Sequence, residues 1–456
     1  MLVIVMSDHP LLCRNRKEVP LTRSFSRREF LKSCGYICAG VAILPLPLSA
    51  LEEPKQALRS LFVAPDGNDG WPGTKSRPWR TLHTALKRIR SQDELILMGD
   101  KFVVPSSLEI ERVTDISIKA HSGQRPVIWF TGSHEYSLQI GQSVRRISVE
   151  GLDLVRATNA PGNVVGIGGR DVAFRRCLVC FADGFSPQKY DGIKILSDYI
   201  VIEDCEFFGA PNQCIDAVGH KEILIRNNKL HNSSMGVVVK GGCRDVLIEN
   251  NLFYNLRYTG IGLGGFTGPM WHNHNNTEAE VENAIVRRNV IYYDKPYNIG
   301  GGIWLKGAKN CSVYNNTLYG AGIHIRTGGD PQMPSRFSTN NEILNNIIFR
   351  TGNDGILVVD NGNSDNLRMR NNMYWKTAGA GDFKIDGIWY NFQEYATHFH
   401  FDIDSIFSDP RFVNERARDF RLRPDSLGIR GGVRLNASAE SRGSDSGVDI
   451  GAFESQ

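Results

Sequence analysis

Seven short segments repeat one strand pattern: "DGIKIL" (191–196), "QCIDAVG" (213–219), "GVVVKGG" (236–242), "TGIGLGG" (259–265), "GGIWLKG" (301–307), "AGIHIRTGG" (321–329) and "DGILVVD" (354–360). Side chains alternate across a strand, and parallel neighbours lie about 4.8 Å apart, so turning the branched residues inward fixes which ones face out. The inward pairs are Ile193/Ile195, Ile215/Ala217, Val237/Val239, Ile261/Leu263, Ile303/Leu305, Ile323/Ile325 and Ile356/Val358. One outward column then reads Lys194, Asp216, Val238, Gly262, Trp304, His324 and Leu357. The next reads Leu196, Val218, Lys240, Gly264, Lys306, Arg326 and Val359.

Three cations in one column, with Lys194 and Asp216 beside them, suit an acidic polymer. A lysine whose pKa is lowered by neighbouring cations or partial burial can take a proton, while arginine stabilises an enolate-like anion. Gly262 and Gly264 leave a gap where a ligand ring could approach the backbone. Trp304 and His324 flank it, the indole being a natural platform for a sugar. Lys240 is the lysine best placed for such chemistry, because Val218 and Gly264 offer it no counter-charge. His220 follows Asp216 in a turn, and the stretch 264–283 carries Trp271, His272 and His274 as a wall. Each residue has a plainer alternative: solubilising lysines, an Asp216–Lys194 pair, a satisfied turn histidine, and a tryptophan packed under a loop.

These strands need a scaffold that stacks them. The phrases "VAFRRCLV", "IVIEDCEFF", "ILIRNNKLH", "VLIENNLFY", "AIVRRNVIY", "CSVYNNTLY", "EILNNIIF" and "LRMRNNMYW" repeat a second motif. Its anchors are Cys177, Cys205, Asn228, Asn251, Asn289, Asn316, Asn346 and Asn372, at intervals of 23 to 38 residues. Such a period with short alternating strands means a solenoid, each unit burying its face against its neighbours. Asparagine tolerates the left-handed turn, and stacked amides hydrogen-bond along the axis. The longer intervals hold insertions at 264–283 and around 330–336, which must leave the coil as loops.

The pattern resembles the right-handed parallel β-helix proteins of the pectate-lyase-like group. That resemblance implies an all-β right-handed parallel β-helix over 96–407 with an asparagine ladder. Residues 51–95 would supply a linker, a first strand and a capping helix with Leu82, Leu86 and Ile89 as its apolar stripe. The stretch "SDPRFVNERARDFRLRPDS" (408–426) with "DIGAFE" (449–454) looks like the closing segment of such proteins, giving a final unit 408–456. The resemblance also implies a polysaccharide lyase acting by β-elimination on uronate-containing chains, with a lysine or arginine base and often Ca²⁺; carried onto this sequence it implies Lys240 as base, Lys306 and Arg326 binding substrate carboxylates, and Asp191 and Asp216 orienting Lys194 or holding a cation. The chain departs from the alginate-lyase and chondroitinase-B-like group, whose arginine one coil after the lysine would fall in "TGIGLGG". It also lacks the clustered aspartates of calcium-dependent pectate lyases. A glycoside hydrolase using Asp191, Asp216 or Asp360, a uronate epimerase and a non-catalytic glycan binder stay open.

A formal charge of +4 over 456 residues is too weak to point to nucleic acid and suits an acidic polysaccharide or oligosaccharide partner. "SRREFLK" (26–32), an apolar run from Ile37 to Leu48 and small residues to Ala50 read as a twin-arginine export signal over 1–50, placing the protein in the periplasm or outside the cell. The run is too short for a stable membrane span, and a monomer is expected. Cys177, Cys180, Cys205, Cys214, Cys243 and Cys311 follow the leader. They read as buried thiols, with a Cys177–Cys205 bridge as the alternative.

Overall fold

The computed structural model describes residues 55, 57–157, 161–182, 189–272, 278–294, 301–332, 334–350, 352, 354–360, 362–379, 382–434 and 447–455. The export signal read from the sequence, and His274, lie outside them. No helix among the described residues is long and apolar enough to cross a membrane.

Three long sheets of 14, 12 and 12 strands run the length of the molecule. Each coil contributes one strand to each sheet. Gln213–Val218 enters the sheet that carries the candidate site, Lys221–Arg226 the second, Lys229–His231 the third, and Met235–Lys240 returns to the first one rung on. Pairing within the coils is parallel. Branched residues fill the interior because each strand's inward side chains meet those of the coil above and below. Ile193, Ile215, Val237, Ile261, Ile303 and Ile323 are all fully buried, and burying such a side chain contributes about 1.5–3 kcal/mol.

The asparagine ladder stands between the second and third sheets. Asn228 Nδ2 donates to Asn251 Oδ1 (3.0 Å), Asn251 to Asn289 (3.0 Å), Asn289 to Asn316 (3.0 Å), Asn316 to Asn346 (3.0 Å) and Asn346 to Asn372 (3.1 Å). At its start the Cys205 amide donates to Asn228 Oδ1 (2.9 Å), and at its end the Asn372 amide donates to Ser405 Oγ (2.9 Å). The left-handed duty that the sequence suggests for these asparagines falls on the residue before each. Asn227, Asn250, Arg288, Asn315, Asn345 and Asn371 carry φ between 52° and 56°. In an Asn-Asn pair the first residue turns the chain and the second bonds along the axis.

A second ladder runs on the outside of the second sheet. Arg175, Glu203, Arg226, Glu249 and Arg287 occupy one register, alternating in sign from coil to coil. Glu203 takes Arg175 Nε at 2.6 Å and Arg226 Nε at 2.6 Å, and Glu249 takes Arg287 Nε at 2.7 Å.

Thr81 caps a helix, Leu82–Arg88, that buries Leu82 and Ala85, with Ile89 buried just beyond and Leu86 packed on the core. At the other end Phe383–Ile385 pairs antiparallel with Ile388–Tyr390, leading into helix Phe392–His398, whose Tyr395 stacks on Phe383 at 4.1 Å. The hairpin of Phe412–Asn414 and Asp419–Leu422 lies on the flank, where Phe412 and Phe420 pack with Tyr319 and Phe349. The six cysteines are buried and free. The Cys177–Cys205 bridge is therefore corrected: the Cys177 amide donates to Cys205 Sγ at 3.4 Å, so the thiol continues the ladder one rung beyond the amides.

Candidate functional site

The outward columns come from strands whose pairing is set by their buried residues. Lys194 stands opposite Asp216, Asp216 opposite Val238, and Val238 opposite Gly262. Trp304 follows Gly262, and His324 follows Trp304. In the second column Val218 faces Lys240, and Gly264, Lys306 and Arg326 stand in consecutive register. The winding thus brings Lys194, Lys240, Lys306 and Arg326 to one face of one sheet. The last coil is displaced by one residue from the sequence reading. Leu357 and Val359 point inward, and Val358, not Leu357, stands beside His324. Four consecutive branched or apolar residues, "ILVV", carry no alternation that could set the phase.

Two basic centres occupy this face. In the first, Asp216 is fully buried between two ammonium groups: Lys194 bonds its Oδ2, and Lys240 Nζ lies 3.1 Å from its Oδ1. The expectation that Lys240 lacks a counter-charge is corrected. Its column neighbours offer none, but Asp216 reaches it from the adjacent column. Asp191 completes the cluster, its Oδ2 3.6 Å from Lys194 Nζ and its Oδ1 accepting from Asn212 Nδ2 and the Gln213 amide, both at 3.0 Å. Burial and the nearby Asp216 charge push the Asp191 carboxyl up to about 7. Burial opposes the charge on Lys194, yet Asp216 and Asp191 outweigh it and raise its pKa.

A calcium ion does not fit here. Hard cations need six to eight oxygens, and the Asp191 and Asp216 oxygens face protein donors. No group of three or more His, Cys, Asp or Glu able to hold a metal ion occurs among the described residues.

The second centre is Lys306 and Arg326. Lys306 Nζ lies 3.8 Å from the centre of the Trp304 ring and 5.2 Å from that of Phe266, with no carboxylate in ion-pair reach among the described residues. Burial, with Arg326 in support, brings the Lys306 ammonium down to about 8. Arg326 Nε lies 3.6 Å from Asp360 Oδ2, and its side chain is 39% exposed.

The glycine gap is also corrected. A Cβ on Gly262 would sit 2.5 Å from Trp304 Nε1, and one on Gly264 would sit 1.9 Å from the Lys306 carbonyl oxygen. The protein's own indole fills the space, anchored by Trp304 Nε1 donating to the Gly264 carbonyl at 3.1 Å. Trp304 therefore supports Lys306 from below.

His324, expected beside the gap, is buried, with Nε2 3.2 Å from Asp354 Oδ2, and burial lowers its pKa. His220 is a turn residue whose Nδ1 lies 3.0 Å from Asp198 Oδ1. Trp271 is 45% exposed, in a short 3-10 turn Pro269–Trp271 whose backbone returns over Gly241. His272 is buried, and burial together with the Arg336 charge takes it down to about 4.

Two residues escape sequence reasoning. The Tyr136 ring lies where a Cβ on Gly166 would be, next in register to Lys194. Burial, then the Glu135 charge, pushes its phenol up to about 12, against the opposing charge of Lys194. The small outward residue in "NVVGI" was the available signal. Glu280, fully buried, lies within the 264–283 insertion, which has no repeat to mark it.

The model of the right-handed β-helix region matches residues 162–287 and 213–392, together half of the chain. Uncharacterized protein YwoF of Bacillus subtilis (strain 168) is 28% identical over 220 residues, which is 46% of this chain and 38% of that relative's length. The chain therefore matches well under half of that protein. Among solved structures it is similar to the GH136 lacto-N-biosidase from Eubacterium ramulus, with a TM-score of 0.52 at 10% identity, covering 77% of this chain and 67% of that one. It is also similar to a rhamnogalacturonan lyase, with a TM-score of 0.47 at 14% identity over 80% and 93% of the two chains. Identities this low speak to the fold alone. With three continuous parallel sheets, a complete asparagine ladder and the matching family model, the chain belongs to the right-handed β-helix family.

Proposed function

We propose that this protein is an exported polysaccharide lyase that cleaves a uronate-containing polymer by β-elimination. The observation that carries the reading is Lys306, a half-buried amine resting on Trp304, beside Arg326, with a pKa brought down to about 8. Near neutral pH such an amine is partly unprotonated, as a general base must be.

In this reading Arg326 receives the substrate carboxylate and lowers the cost of charge developing on it. Lys306 Nζ takes the proton beside that carboxylate. The electron pair forms the new ring double bond as the bond to the 4-linked oxygen breaks, and the departing oxygen takes the proton back from Lys306. Lys240, the base expected from sequence, is held on Asp216 and belongs with Lys194 to a second basic patch along the same face. That patch lies roughly 10 Å away by two strand spacings. Export rests on the twin-arginine leader alone.

A hydrolase has one observation in its favour, the Asp191 carboxyl near 7 close to Asp216. Both carboxylates are buried and face Lys194, Lys240 and the Gln213 amide, so neither meets a sugar without rearrangement. The test is incubation with alginate, pectate and glycosaminoglycans. Ultraviolet absorbance of unsaturated uronate that is lost in Lys306→Arg supports the lyase. New reducing ends without that absorbance support the hydrolase and overturn the lyase.

A further inference from the structure

Glu280 has no exposed surface and no part in the chemistry above, yet it bonds to the chain just after both Lys240 and Lys306 and to two neighbouring loops. Its amide donates to the Gly307 carbonyl, one residue past Lys306, and its carbonyl accepts from the Gly242 amide, two past Lys240, both at 2.9 Å. Its carboxylate Oε2 accepts from the Gly241 amide at 3.1 Å and from Thr267 Oγ1 at 2.6 Å. Oε1 faces Arg336 Nη1 at 3.4 Å and His272 Nε2 at 3.8 Å. Arg336 Nε in turn donates to the Glu278 carbonyl at 2.7 Å, and the Gly329 amide donates to the Gly265 carbonyl at 2.9 Å. One carboxylate thus ties the strand end after Lys240, the loop bearing Phe266 and Trp271, and the loop bearing Arg336.

We propose that Glu280 is a positioning residue. It holds the strand ends of Lys240 and Lys306 and clamps the 264–272 loop to the chain around Gly329 and Arg336, beside the basic face. The neighbouring glycines show how closely the joint is built: a Cβ on Gly264 would sit 2.9 Å from Glu280 Cβ, and one on Gly307 3.1 Å from Glu280 Cγ. A buried carboxylate facing a guanidinium and two neutral donors favours a single arrangement, because any other leaves a charge or donor unsatisfied.

This proposal rests on the lyase reading for its kinetic consequence, and on hydrogen exchange for its geometry. Two variants separate the parts of the joint. Glu280→Gln keeps an acceptor for Gly241 and Thr267 but leaves Arg336 without its counter-charge. KM for the uronate polymer is expected to rise about tenfold, the worth of one charge-assisted hydrogen bond, with kcat within about threefold of wild type. Glu280→Ala removes the whole joint. Here kcat is also expected to fall, and amide exchange at Gly241 and across 264–272 to quicken by about tenfold or more. Unchanged kcat and KM in both variants overturn the proposal, whatever exchange does. Should Glu280→Ala fail to fold, Glu280→Gln decides through its KM. Should the wild-type chain cleave no uronate polymer, the lyase reading falls and exchange alone decides: faster exchange in either variant supports the joint, and wild-type protection in both overturns it.

Discussion

The pH dependence of turnover gives the sharpest test of Lys306 as base. Its ammonium is brought from the ordinary lysine value of 10.5 down to about 8. At pH 7 a group of pKa 8 is unprotonated in about one molecule in ten, and one of pKa 10.5 in about one in three thousand. The site therefore supplies roughly 300 times more free amine, equivalent to about 3 kcal/mol at 1.36 kcal/mol per unit. At low substrate, kcat/KM, which follows the free enzyme, should rise about tenfold per pH unit on the acid side and level off above pH 8. Lys306→Arg keeps the charge and the seat on Trp304 but gives no free base at any accessible pH, so kcat should fall by about 10² to 10⁴. Arg326→Gln removes the secondary cause of the shift, and the midpoint should move up towards 10.5. The assay is the rate of unsaturated-uronate absorbance across a buffer series. A wild-type midpoint close to 10.5, or a Lys306→Arg variant that keeps more than about a tenth of its turnover, would refute the assignment.

Further outcomes follow from the buried groups. Asp191 has a carboxyl near 7 in the folded chain against an ordinary 3.8. Its contribution to stability is full below 3.8 and lost as pH rises through 7, so Asp191→Asn should flatten the wild-type decline in urea midpoint over that window. Asn289→Ala removes the acceptor of the Asn251 amide and the donor to the Ile248 carbonyl; at about 1–3 kcal/mol for each unsatisfied group, urea denaturation should show a loss of about 2–6 kcal/mol. Gly262→Ala places a methyl 2.5 Å from Trp304 Nε1. Displacing the indole should cost about 1–3 kcal/mol, change tryptophan fluorescence and carry the Lys306 midpoint upward.

Much of this molecule is legible in its sequence because a solenoid writes its geometry as repetition. The asparagine anchors and the inward pairs up to Ile325 stand in the register that their spacing predicts. The sequence is silent where the local pattern ends. "ILVV" offers no alternation to tell Leu357 and Val359 as the inward pair from Ile356 and Val358. Gly262 signals room above the backbone without saying whose ring takes it, and here the taker is Trp304, one rung on. Lys240 has no counter-charge within its own column, but its long side chain crosses to Asp216 in the next. His324 faces outward by register but lies beneath the neighbouring turn residues Gly301 and Asp354. Glu280 is invisible in principle to repeat analysis, because it works from inside an insertion.

The arginine and glutamate file from Arg175 to Arg287 imposes a parity rule on how such a chain can grow or shrink. Excising the single turn that carries Glu203 would set Arg175 against Arg226, two like charges directly apposed. Excising that turn together with the following one would bring Arg175 to Glu249 and restore attraction. Over this stretch, viable length changes should therefore come in even numbers of turns.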